Sequence, residues 1–159
     1  MGLRKILTDK EPALHKVCKP VVNFDGRLHS LLDDMRETLI ESGGVGLAAP
    51  QVGILRRVVL VDTGEEILEL VNPSLLETDG EQEGAEGCLS IPGKYGLVKR
   101  PYYAKVRAQD RNGNWYAAEG EELTARCFCH ELDHLDGILY TQVMDRFLTE
   151  EELMGDEEE

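Results

Sequence analysis

The chain has no long apolar run. No stretch approaches the ~18 consecutive apolar residues of a bilayer-spanning helix, which argues against a transmembrane segment of that kind. The opening residues MGLRKILTDKEP contain no apolar run long enough for a secretory signal. Position 6 is Ile6, where an N-myristoylation pattern needs Ser or Thr. The expectation is a soluble cytoplasmic protein. Cations are also scarce: 17 Lys and Arg face 31 Asp and Glu, a formal net charge of -14. So acidic a surface argues against non-specific binding to nucleic acid or to anionic membrane, since phosphates are contacted largely by cationic side chains. Without secretion, disulfides between Cys18, Cys88, Cys127 and Cys129 are not expected, and thiols that are buried or bind metal are. No repeat or low-complexity linker divides the chain. The expected organisation is one catalytic domain over residues 1–147, followed by an acidic tail, 148–159, read as a solvated end.

What remains is enough for a core: 159 residues, 42% of them hydrophobic. Leu28, Leu31, Leu32, Met35, Leu39 and Ile40 recur at helical spacing, and Gly43 and Gly44 follow, so a helix is expected over 28–40. A small, glycine-rich loop, GVGLAAPQVG, comes next. Residues 57–62 and 67–71 read as strands split by Gly64, with Pro73 ending the second. Residues 77–87, rich in acid and glycine, read as loop or edge strand. Further strands are expected at 97–98, 102–110 and 115–118, the last two joined by an Asn112-Gly113 hairpin turn. A second helix is expected over 121–139, opened by acidic residues that suit a helix N-terminus. The order predicts an α+β fold: mixed, mostly antiparallel strands packed around a central C-terminal helix.

That helix carries His130-Glu131-Leu132-Asp133-His134, an HExxH motif. Residues i and i+4 of an α-helix lie ~40° apart around the axis and ~6 Å apart along it. Both imidazoles therefore share a face and can share one metal ion, with Glu131 in reach of a water beside it. Two histidines leave a catalytic metal short of a third protein ligand. In one protease pattern it comes six residues after the second histidine, where this chain has Tyr140, a poor substitute. The downstream acids Glu150, Glu151 and Glu152 sit in the tail. His15 and His29 are isolated. Cys88, preceded by Gly87, is the better candidate, although a small buried cysteine is an equally ordinary use of the residue.

Three segments together resemble the peptide deformylase family: GVGLAAPQ at 44–51, EGCLS at 86–90 and HELDH at 130–134, in the family's order and spacing. The resemblance runs from about residue 3 to about residue 147. It implies a metal-dependent hydrolase that removes the N-formyl group from the formyl-methionine of new polypeptides and releases formate. By that resemblance Cys88, His130 and His134 hold one divalent metal ion, Fe(II) in the usual case, with Zn, Ni or Co as substitutes. Glu131 acts as general acid and base. The side-chain amide of Gln51 and the backbone N–H of Leu89 stabilise the oxyanion. Val45, Gly84, Leu123 and Cys127 line the methionine pocket, and Val45 and Gly46 pair with the extended peptide. Glu86 and Arg100 support the metal loop, while Asp133 and Asp136 are placed either to orient the histidines or the helix, or to be solvated acids. The implied partners are formyl-methionyl nascent chains and, transiently, the ribosome. Two positions depart from the family's commoner pattern: Cys129, where many members have Gln, and Tyr95, where some have Arg.

Overall fold

The first helix, α1 (Gly26–Ser42), starts where Asp25 accepts hydrogen bonds from the N–H groups of Arg27 and Leu28, an ordinary N-cap. It ends where Gly43 takes φ +73°, a left-handed conformation that costs glycine nothing. The computed structural model describes residues 2–158, without the side chains of 155–158. The apolar stripe of α1 is buried as the spacing predicts, except that Ile40 is 64% exposed. Pro12 opens a short 3-10 turn, Pro12–His15.

Seven strands follow: β1 (Gly46–Ala48), β2 (Val58–Asp62), β3 (Ile67–Asp79), β4 (Gln82–Cys88), β5 (Ile91–Arg100), β6 (Tyr103–Gln109) and β7 (Trp115–Glu121). Five form one sheet in the order β1-β2-β3-β6-β7, and β4 pairs with β5 as a separate two-stranded sheet. Every pairing between these strands is antiparallel. β2 shows why the main sheet is a central layer. Its alternate residues Val59 and Val61 pack with the second helix, α2 (Leu123–Leu135), and Val58 and Leu60 pack with α1. A third apolar cluster, of Leu14, Ile91, Val98, Leu139 and Tyr140, lies beneath the small sheet.

Four expectations need correcting. Pro73 does not end a strand: β3 runs through it to Asp79. The register with β6 slips between Val71 and Ser74, and a bulge is where the ladder can do without a proline N–H. The strand expected at 97–98 is longer, Ile91–Arg100, and it pairs with 82–88, where the edge-strand alternative to a loop holds. α2 is shorter than the pattern suggested. Glu121 ends β7, and Glu122 precedes the helix at φ +54° with no side-chain cap. The helix turns out at Asp136 and Gly137. At Gly137, φ is +76° and an added Cβ would stand 2.7 Å from the carbonyl carbon of His15, so that glycine serves backbone passage. Finally, a third helix, α3 (Glu150–Glu158), occupies the acidic tail, where no element was expected.

Candidate active site

α2 is the axis of the site. Nine of its thirteen residues are buried, including His130, Glu131 and His134. That is unusual for charged and polar side chains, which are buried only where partners hold them. The partner of His130 is Glu86, on β4. Its carboxylate accepts from Arg100 Nε at 3.0 Å and Nη2 at 2.7 Å, from Arg126 Nη1 at 2.9 Å, and from His130 Nδ1 at 2.7 Å. Burial alone would raise the Glu86 pKa, but the hydrogen bonds from His130 and Arg100 outweigh it and bring it down to about 2. An ionised carboxylate only accepts, so Nδ1 of His130 carries hydrogen and Nε2 is the atom turned into the site.

That Nε2 lies 3.1 Å from His134 Nε2, which lies 3.4 Å from Cys88 Sγ. One donor atom from each residue falls within 4.8 Å of the others. Cys88 arrives at the end of β4, just before the two-residue turn of the β4–β5 hairpin. Two nitrogens at Zn–N distances of ~2.0–2.1 Å and a tetrahedral angle would be about 3.3 Å apart, so the spacing suits one ion. The electrostatics agree. Burial opposes a charge on His130, but its contact with Cys88 and the carboxylates of Glu131 and Glu86 overcome it and lift its pKa well above the usual range. Burial, with His130 next, pushes His134 well below it. Three donor atoms thus face one point where a single positive charge is favoured. The residues fit a divalent metal bound by one thiolate and two imidazoles.

Glu131 is 3% exposed, and its Oε1 has no hydrogen-bond partner among the described residues. Its Oε2 stands 4.0 Å from His130 Nε2. Burial is the main cause that brings its pKa up to about 7. Opposite, Gln51 sits in the 3-10 turn after β1. Its Oε1 accepts from Ala48 N–H at 2.9 Å, which aims the amide NH₂ at Ser90 Oγ, 3.0 Å away, and Cys88 Sγ, 3.6 Å away. A cavity of about 550 Å³ opens onto these groups, lined also by Val45, Gly46, Leu89, Leu123, Arg126 and Cys127. Burial keeps the Cys127 thiol protonated, and Sγ donates to Val45 O at 3.4 Å. Gly46 leaves the space those side chains occupy: a Cβ there would meet Glu131 Oε2 at 2.5 Å and Cys127 Sγ at 2.6 Å, and one of them would have to move.

The sequence model of the polypeptide deformylase family matches residues 3–150. The chain belongs to that family. A peptide deformylase of Agathobacter rectalis is 54% identical over 145 residues, covering 91% of this chain and 92% of that protein. One from Caldanaerobacter subterraneus is 52% identical over 155 residues, 98% of each. Among solved structures, the peptide deformylase of Thermotoga maritima superposes with a TM-score of 0.88 at 38% identity, covering 91% of this chain and 99% of that one.

Of the residues singled out in the sequence, Gly84 alone among the pocket set does not line the cavity. Its neighbour Ala85 does, and a Cβ at Gly84 would stand 3.5 Å from Arg126 Nη2. Asp133 pairs with Arg100 at 2.8 Å and Asp136 with Arg57 at 3.1 Å, so both are ion-paired rather than free acids. Tyr95 lies at the cavity mouth with its ring against Gly87. Cys129 is not among the residues lining the cavity. Sequence reasoning missed Ser90 and Arg126, both buried beside the site. It also passed over Tyr140 as a mere failed ligand. That ring is buried, stacks 6.3 Å from His130 at 27°, and donates its hydroxyl to Lys94 O. Arg126 lies one turn before His130, a spacing that could have flagged it.

Proposed function

We propose that this protein removes the N-formyl group from the formyl-methionyl N-terminus of newly made polypeptides, as family membership implies, with Cys88, His130 and His134 as metal ligands. The observation that carries the reading is the placement of Glu131. A buried carboxylate with a pKa near 7 stands beside three metal-ligand donors, on the wall of a cavity whose other side presents the Gln51 amide. When bound, a divalent ion supplies Lewis acidity that brings a water molecule's pKa toward neutral. Fe(II) is the ion we assign, with Zn, Ni or Co able to replace it at a thiolate–imidazole site.

The chain's own groups then act as follows. Glu131 takes a proton from the attacking water as oxygen bonds to the formyl carbon. The Gln51 NH₂ and the backbone N–H of Leu89 donate to the former carbonyl oxygen as it gains negative charge. Glu131 returns the proton to the departing amine nitrogen, so water and formyl amide become formate and a free N-terminus. Val45, Leu123 and Cys127 supply apolar surface for the methionine side chain, with Gly84 behind the wall. β1 is an edge strand, and Gly46 at its start, with the N–H of Val45 just before it, offers backbone groups to an extended peptide. Glu86 and Arg100 hold His130. Acting on nascent chains implies a cytoplasmic site and transient contact with the ribosome. Among the described residues, no helix is long and apolar enough to cross a membrane.

The test is formate release from a formyl-Met tripeptide by protein prepared without oxygen and loaded in parallel with Fe(II), Ni or Zn. Wild type is expected to release formate and Glu131→Ala to release none at equal metal content. A folded, metal-loaded wild type without activity sinks the reading.

A further inference from the structure

Arg126 is a guanidinium in the wall of a pocket otherwise suited to an apolar side chain. Its side chain is only 8% exposed. Nη1 is committed to Glu86 Oε1 at 2.9 Å and Val98 O at 3.2 Å. Nη2 has no acceptor among the described residues. It faces the bare backbone of Gly84, where an added Cβ would stand in ordinary contact at 3.5 Å. Arg126 thus brings unspent, charge-bearing N–H groups to the wall of the cavity, close to Leu123 and Cys127 on the same helix.

A thioether gains little from that donor, because its sulfur is a weak acceptor. Methionine sulfoxide differs by one oxygen on the same sulfur, and that oxygen is a strong acceptor. In a wholly apolar pocket the sulfoxide would be rejected, since its oxygen would lose water and find no partner. Resting on the deformylase reading, we propose that the pocket also accepts N-formyl-methionine sulfoxide as first residue, with Arg126 Nη2 as the specificity-determining donor to the sulfoxide oxygen. The sulfoxide is unchanged by the reaction; the formyl amide is hydrolysed as in the unoxidised peptide.

Directionality gives the proposal its test. The sulfoxide sulfur is chiral, and one fixed donor can serve only one epimer well. We would measure kcat/KM of the metal-loaded enzyme for formyl-Met, formyl-norleucine and each separated formyl-methionine sulfoxide epimer in one tripeptide frame. Wild type is expected to prefer one epimer by roughly tenfold or more and to turn it over nearly as well as formyl-Met. In Arg126→Met the ratio of that epimer to formyl-Met should fall roughly tenfold to a hundredfold, with the norleucine ratio unmoved. Arg126→Lys should restore part of it. Ratios cancel any general loss from disturbing Glu86, which a merely structural role would produce. If Arg126→Met does not fold, Arg126→Lys, which keeps the charge but loses the guanidinium fork, should erode the epimer preference in part. Equal epimers in wild type, or ratios indifferent to these substitutions, overturn the proposal while formyl-Met is still deformylated. No formate from formyl-Met overturns it together with the deformylase reading.

Discussion

Glu86 makes a pH-dependent contribution whose sign can be worked out. Its folded pKa is about 2 against an ordinary 4.5, so its ion pairs stabilise the fold fully above pH ~4.5 and are lost as pH falls from there toward 2. Roughly 3 kcal/mol is at stake on that difference. Glu86→Gln is therefore expected to lower Tm at pH 7 but to lose less further stability between pH 5 and 3 than wild type. Thermal melts across that range check both. The same substitution removes the anchor of His130 Nδ1 and should weaken metal affinity about 10- to 100-fold, measured by competition with a chelating dye. Gln51 is a separate matter. Gln51→Leu should leave metal content unchanged and lower kcat roughly 100- to 1000-fold, the usual cost of an oxyanion donor. At this scale the motif residues were legible in the sequence because HExxH obeys helical geometry on its own. Ser90 was not, since it matters only through Gln51, far away in the chain; Arg126 offered only its spacing from His130, because its partner Glu86 is distant in sequence.

Among the elements, the ones the sequence made plain are those whose periodicity agrees with their packing. α1 buries one stripe and α2 nearly all round, and the Asn112-Gly113 turn joins β6 to β7 with Gly113 at φ +88°. The β4–β5 hairpin was only partly readable, as an edge strand or loop and a short strand at 97–98, for a physical reason. Its glycines signal a turn, but Gly87 and Gly96 are small because rings lie where side chains would be. Tyr95 is 2.6 Å from a Cβ at Gly87, and Tyr140 is 2.9 Å from one at Gly96. Tertiary packing here overrides local preference. A prediction follows for β1. Gly46→Ala puts a methyl against the Glu131 carboxylate and the Cys127 sulfur, so kcat should fall at least tenfold with metal still bound. Paired formate and metal assays on one preparation decide it, and retained kcat would show that Glu131 has more freedom than its burial implies.

For the whole molecule, the question is where the catalytic unit ends. Seven of the 31 acids lie in residues 150–159, so the tail carries half of the formal charge of -14. The segment before it is built in: Leu97 N–H donates to Arg146 O, Leu148 N–H donates to Tyr95 O, and Phe147 bridges to Gly96. It extends the small sheet along β5, and β5 is paired with the strand that brings Cys88 to the site. α3 itself is tied back by an exposed pair between Arg146 and Glu152, which salt screens. Two truncations separate these parts. Removing 150–159 should leave metal content, kcat/KM and Tm nearly as they were. Removing 144–159 strips the ladder from β5, frees Tyr95 at the cavity mouth and should raise KM and lower Tm. Equal damage from both would mean that the acidic helix belongs to the catalytic unit, and the boundary read from composition at 147/148 would have to move.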